Sequence, residues 1–216
     1  MARGGFTLIE LLVVTAIVAL LAGLLLPSLK GARMAARITK AHAELRSVTI
    51  ALEVYGDYNA GQLPPTRFSC STRTAYELPI ELGQQRYLPL KTALREQATV
   101  DVVGLRDVFD PADTYKYRAP GPAVINESTY LPDAASLWVP DGFPDVAGSE
   151  GAYHFDRKTS PVRYAVWSVG PNPQSPKFRQ QPGRGPIPSR FWCRGSSDSG
   201  YITQYQAATG LMYRSP

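Results

Sequence analysis

The chain is predicted to adopt an α+β fold: one long N-terminal helix, first apolar and then amphipathic, packed on a small antiparallel β-sheet with long loops. Three observations predict it. Residues Phe6 to Leu26 are apolar except for Thr7, Glu10 and Thr15. Beyond them, apolar residues recur at helical spacing as far as Tyr55. Glycine and proline number 18 and 19 in the chain, which favours short strands and loops over further long helices.

The first segment has 21 residues. At 1.5 Å per residue that is roughly 31 Å of helix, enough to cross the hydrocarbon core of a bilayer. Its one carboxylate, Glu10, is costly in such a span unless a cation meets it. Met1-Ala-Arg-Gly-Gly5 precedes the span and supplies a single side-chain cation, Arg3. A secretory signal peptide would place its small-residue cleavage site after the apolar core. Here the Gly-Gly pair comes before it. A plain signal anchor would span the membrane but explains neither Glu10 nor the Gly5-Phe6 junction. By charge alone, Lys30, Arg33, Arg37, Lys40 and Arg46 outweigh Glu44 after the span. The positive-inside rule would then keep the C-terminal side in the cytoplasm.

Ile38, Ala41, Leu45, Val48, Leu52 and Tyr55 recur at steps of three and four and mark one face of an amphipathic helix. Arg37, Lys40, Glu44, Arg46 and Glu53 take the opposite face, with His42 on the solvated side. Turn formers from Gly56 to Gly61 end the helix. A helix from Phe6 to Tyr55 would be about 75 Å long. Pro27 lies inside it and cannot donate an amide to the Gly23 carbonyl. A kink or local unwinding is expected there, or the end of the span at the membrane surface, which Ser28 and Lys30 also fit.

The short leader ending in Gly, followed by Phe6-Thr7-Leu8-Ile9-Glu10 and a long apolar helix, resembles the type IV prepilin and type II secretion pseudopilin superfamily. The resemblance implies a pilin fold. Residues 1–5 would be the leader, 6–29 the transmembrane half of the helix, 30–58 its amphipathic half, and 60–216 a periplasmic globular domain. It implies cleavage between Gly5 and Phe6 by prepilin peptidase and methylation of the new Phe6 amine. Glu10 would pair with a neighbouring subunit's N-terminal amine, and Pro27 would loosen the helix during packing. It also implies a topology opposite to the charge count, with the leader cytoplasmic and the large domain exported.

Three segments of the soluble part read as strands: Thr114 to Arg118, Arg163 to Val169, and a hairpin of Tyr201 to Tyr205 with Leu211 to Tyr213. Their order and motifs resemble the C-terminal half of major pseudopilins, and Leu78 to Leu90 resembles the link between helix and sheet. Asn126 to Gly151 reads as a long loop or insertion, with Tyr130, Trp138 and Phe143 as its anchors in the core. Several members of the superfamily bind calcium in an acidic loop after the central strand. Here the corresponding Pro171 to Gly185 is basic and proline-rich, so no calcium site and no other cofactor is expected.

Cys70 and Cys193 could form one disulfide, since the resemblance brings their regions within reach; two free thiols are the other reading. No metal site and no catalytic residues are expected. The histidines are His42 and His154, and His154-Phe155-Asp156 has no nucleophile beside it. Gly183-Arg184-Gly185 lacks the pattern of a phosphate loop. The formal net charge is +5, and Arg157, Lys158, Arg163, Lys177, Arg179, Arg184, Arg190 and Arg194 lie in the C-terminal half. With Phe178, Phe191 and Trp192 interleaved, such a loop could hold DNA. A solvated loop balanced by a neighbour's acidic face is the alternative.

The resemblance therefore implies a structural subunit rather than an enzyme. It would be an inner-membrane protein assembled into a homo-oligomeric periplasmic filament, the pseudopilus of type II secretion. Its partners would be prepilin peptidase, the inner-membrane assembly platform, minor pseudopilins and membrane lipid. A surface type IV pilin for adhesion or DNA uptake is the second reading. A membrane-anchored exported enzyme or binding domain is the third.

Overall fold

The structure is a computed structural model that describes residues 7–68, 75–95, 98–126, 128–172, 185–195 and 198–216. It begins with α1 (Leu8–Tyr58), then β1 (Thr66–Phe68), α2 (Ile80–Gln84), β2 (Leu90–Arg95) and β3 (Ala98–Val103). Next come β4 (Lys116–Arg118), β5 (Gly121–Ile125), β6 (Thr129–Ala135), β7 (Leu137–Pro140) and β8 (Gly151–His154). The chain closes with β9 (Val162–Ser168), a 3-10 turn at Ser189–Phe191, β10 (Ile202–Ala207) and β11 (Met212–Arg214). The α+β class read from the sequence is the one observed.

The main sheet has the order β11-β10-β9-β4 and is antiparallel throughout. Successive side chains of a strand point to opposite faces, and β9 uses both. Tyr164 and Val166 face α1, where they join Ala41, Leu45, Val48, Leu52, Tyr117 and Ile202 in one core. Ala165 and Trp167 face away, into a second core with Leu137, Val139, Ile187 and Tyr205. The sheet is thus sandwiched between α1 and the β7–β8 hairpin. Leu45, Val48 and Leu52 are fully buried, each contributing about 1.5–3 kcal/mol of apolar transfer. These are residues of the apolar face expected from helical spacing.

Helix α1 runs unbroken from Leu8 to Tyr58, position 27 included. The unwinding expected there is not seen in the single chain. A proline removes one backbone bond, and the turns on either side keep theirs. The helix ends as Asn59 donates its amide and its Nδ2 to the Tyr55 carbonyl at 3.0 and 2.7 Å. Beyond it Ala60 and Gly61 take left-handed φ of 51° and 77°.

The expected C-terminal strands are present within one or two residues, and β10 and β11 form the hairpin. The stretch from Asn126 to Gly151 is not a loop. It holds β6, which pairs with β5, and β7, which pairs with β8. Pro132 misled the reading: it sits in β6, an outer strand of the sheet β1-β5-β6, where a missing donor is tolerated. Of the three expected anchors, Trp138 is buried and Phe143 packs on Tyr205 and Tyr213, but Tyr130 is exposed. The link from Leu78 to Leu90 contains the short helix α2.

His42 also departs from expectation. It is half-buried, with its Nε2 3.3 Å from the Pro216 carbonyl oxygen, because the chain after β11 folds back over α1. Burial holds its pKa below the ordinary imidazole value; the Pro216 contact pulls it up and Arg214 pushes it down. With a depressed folded-state pKa, the unfolded chain takes up the proton first. Stability is therefore full above about pH 6.5 and falls as the pH drops through that value. His42→Gln should flatten this dependence between about pH 7 and pH 5, measured as thermal unfolding of the full chain in detergent.

Candidate functional site

The first turn of α1 is built around Glu10. Thr7 is the N-cap, with φ −82° and ψ 153°, and its hydroxyl oxygen accepts from the Glu10 amide at 3.3 Å. The Thr7 amide and hydroxyl both donate to Glu10 Oε2, at 2.9 and 2.7 Å. This is a reciprocal capping box, which satisfies two helix-end donors and places a carboxylate at the positive end of the helix dipole. The sequence carried its signal: Thr-x-x-Glu ahead of an apolar run is the pattern of such a box. The reading of Glu10 as a carboxylate awaiting a cation passed over Thr7 as its first partner.

Behind this turn α1 stands clear of the rest of the chain. From Leu8 to Leu29, 14 leucine, isoleucine and valine side chains are exposed, Leu8 by 79% and Leu24 by 68%. At about 1.5–3 kcal/mol per side chain, leaving them in water forgoes roughly 20–40 kcal/mol. No surface loop explains that. Among the described residues this is the one helix long and apolar enough to cross a membrane. Lipid, other helices or both must cover it.

Past Leu29 the helix is secured to the soluble part by polar ties as well as by its apolar face. Arg37 donates to the Val108 carbonyl at 2.6 Å and lays its guanidinium 4.6 Å over the Phe109 ring. Tyr115 donates its hydroxyl to Glu44 at 2.5 Å, and burial, with that carboxylate next, drives the Tyr115 pKa far above the phenol range. Gln204 donates to the His42 carbonyl and Gln206 to Glu53, each at 3.1 Å. Each tie pairs a polar residue of the helix with the loop before β4 or with β10. Helical spacing alone had read Arg37, Glu44 and Glu53 as a solvated face.

The expected processing junction, Gly5 and Phe6, lies outside the described residues, as do Cys70 and residues 173–184 of the basic loop. Cys193 is a buried, free thiol whose Sγ donates to the Gly195 carbonyl at 3.2 Å. His154 ends β8 opposite Leu137, and the Asp156 carboxylate accepts from the Lys158 amide at 2.9 Å. Among the described residues no three His, Cys, Asp or Glu side chains gather in a way that could hold a metal ion.

The arrangement suits a membrane anchor: an exposed apolar helix with a carboxylate held at its tip. Residues 1–26 match the family model described as the prokaryotic N-terminal methylation motif. No curated protein and no solved structure matches the chain. Over its first 26 residues, then, the chain carries the signature of type IV prepilins and pseudopilins.

Proposed function

We propose that this chain is a structural subunit of a periplasmic pseudopilus serving type II secretion. Residues 1–5 are its cytoplasmic leader, 6–29 the membrane half of α1, 30–58 the half that carries the soluble domain, and 60–216 the periplasmic domain. Prepilin peptidase cuts after Gly5 and the Phe6 amine is methylated. An inner-membrane platform then moves the subunit from lipid into a filament of like subunits, alongside minor pseudopilins, with α1 at its core.

The observation that carries this reading is the combination within one helix of the methylation motif, a wholly exposed apolar surface, and a carboxylate already held at the helix tip. A fixed acceptor one turn inside the new N-terminus can take a neighbour's amine while keeping its own Thr7 donors. A carboxylate and a cation removed from water together are far cheaper than either alone. That pairing sets the axial register between neighbours.

Deletion of the gene should abolish export of proteins across the outer membrane while leaving surface pili and DNA uptake unchanged. Normal export together with loss of surface filaments or of DNA uptake would favour the surface type IV pilin instead.

A further inference from the structure

A groove of about 340 Å³ opens between the soluble half of α1 and the outer strand β11, with Arg46, Ile50, Glu53, Met212 and Arg214 in its walls. Ile50 and Met212 are exposed, as is Leu211 beside them. Glu53 accepts from Gln206. Neither Arg46 nor Arg214 has a carboxylate within ion-pair distance among the described residues. The groove therefore presents two guanidinium groups without an ion-pair partner, against the single Glu53 carboxylate, around an apolar floor.

The complementary surface lies elsewhere on the same chain. From Ala119 to Asp156 the sequence holds Glu127, Asp133, Asp141, Asp145, Glu150 and Asp156 and no lysine or arginine. Three of these gather at the end of the β7–β8 hairpin. The Asp141 amide donates to the Glu150 carbonyl at 2.9 Å and the Asp145 amide to the Gly142 carbonyl at 3.0 Å, which folds the loop back on itself. Asp141, Asp145 and Glu150 are all exposed, and none has an ion-pair partner among the described residues.

We propose that the α1–β11 groove seats a second copy of this chain, which enters with the acidic end of its β7–β8 hairpin. The hairpin packs on the face of the main sheet opposite α1, so one molecule cannot fill its own groove. A contact between two different faces is heterologous, the kind of contact from which an open helical array can be built. The groove also lies on the same helix whose apolar half the copies bury. The proposal rests on the filament reading above and adds the soluble-domain contact that fixes orientation between neighbours, a task for which complementary charge is suited.

The test uses the full chain in its producing cells, reading the yield of filament recovered after the outer membrane is opened beside the mass of the mature N-terminus. Arg46→Glu/Arg214→Glu is expected to lower filament yield at least ten-fold while cleavage and accumulation stay normal. Asp141→Arg/Asp145→Arg alone should do the same, and combining both pairs should restore at least half of the wild-type yield. Wild-type yield in either double variant overturns the groove and leaves the filament reading standing, as does a loss in both that the combination fails to restore. A cleaved wild-type chain that forms no filament overturns the reading and the proposal together.

Discussion

Glu10→Ala is expected to leave cleavage after Gly5 intact and to reduce filament yield by ten-fold or more. On the proposed processing, the leader and its junction would specify cleavage, and the substitution leaves them alone. Assembly is different. The alanine removes the acceptor at the tip of α1, where Oε2 now meets the amide and hydroxyl of Thr7. A neighbour's N-terminal amine would then enter the apolar environment with no anion to meet it. Glu10→Gln separates capping from charge. Glutamine can still close the box with Thr7, but it offers no counter-charge, so it should fail like alanine. A glutamine variant with normal filament yield would show that the cap, rather than the charge, is what assembly needs.

Asp107→Ala is expected to destabilise the soluble domain by about 3 kcal/mol, lowering its melting temperature by roughly 6–12 °C. Asp107 is 1% exposed. Its Oδ1 accepts from the Phe109 amide at 2.9 Å and the Ser168 hydroxyl at 2.7 Å, and its Oδ2 from the Val169 amide at 2.9 Å. Ser168 Oγ in turn accepts from the Gly170 amide at 3.0 Å. Gly170 has φ +67°, and a Cβ there would sit 1.8 Å from the Gly200 carbonyl oxygen. One carboxylate thus ties the loop that carries Val108 and Phe109, the residues under Arg37, to the end of the central strand. Alanine leaves three donors, the buried Ser168 hydroxyl and the half-buried Phe109 and Val169 amides, without this partner. Asp107→Asn should cost less: it keeps an oxygen for Phe109 and Ser168 but turns an amide group toward the Val169 N–H.

The acid dependence of Asp107 has a definite sign. Burial pushes its pKa up, against the pull of the three donors. A raised folded-state pKa means that the folded protein holds the proton more firmly than the unfolded chain. The contribution of Asp107 to stability is then greatest in acid, falls as the pH rises through about 3.8 toward the folded-state value, and is level above it. The gap between wild type and Asp107→Ala, measured by thermal unfolding of the full chain in detergent, should widen as the pH falls through that window.

What the sequence disclosed depended on how local the responsible physics was. The buried stripe of α1 was legible because helical spacing puts Ala41, Leu45, Val48 and Leu52 on one side whatever they pack against. β9, β10 and β11 were legible because turn formers bound them and Gly210 marks the hairpin. The β5–β6 and β7–β8 pairs were not, since prolines and glycines there carry the local signature of loops while the pairing is decided by partners in the sheet. The parallel pairing of β1 with β5 joins Thr66 to Ala123, a distance no local pattern reports. His42 was misplaced for the same reason, because residues after β11 return to cover it. At the candidate site, Glu10 stood out in the sequence as a lone carboxylate in an apolar run. Its first partner, Thr7, was readable as well, from the spacing of a capping box.

The central claim is that this chain is processed at Gly5 and works through the helix end so created. Mass spectrometry of the N-terminus of the membrane-extracted chain tests it most directly, with Gly5→Ala in parallel. The account predicts a wild-type chain that begins at N-methylated Phe6 and a Gly5→Ala chain that keeps its leader. A wild-type chain that retains residues 1–5, or one cut beyond Leu26, would contradict it.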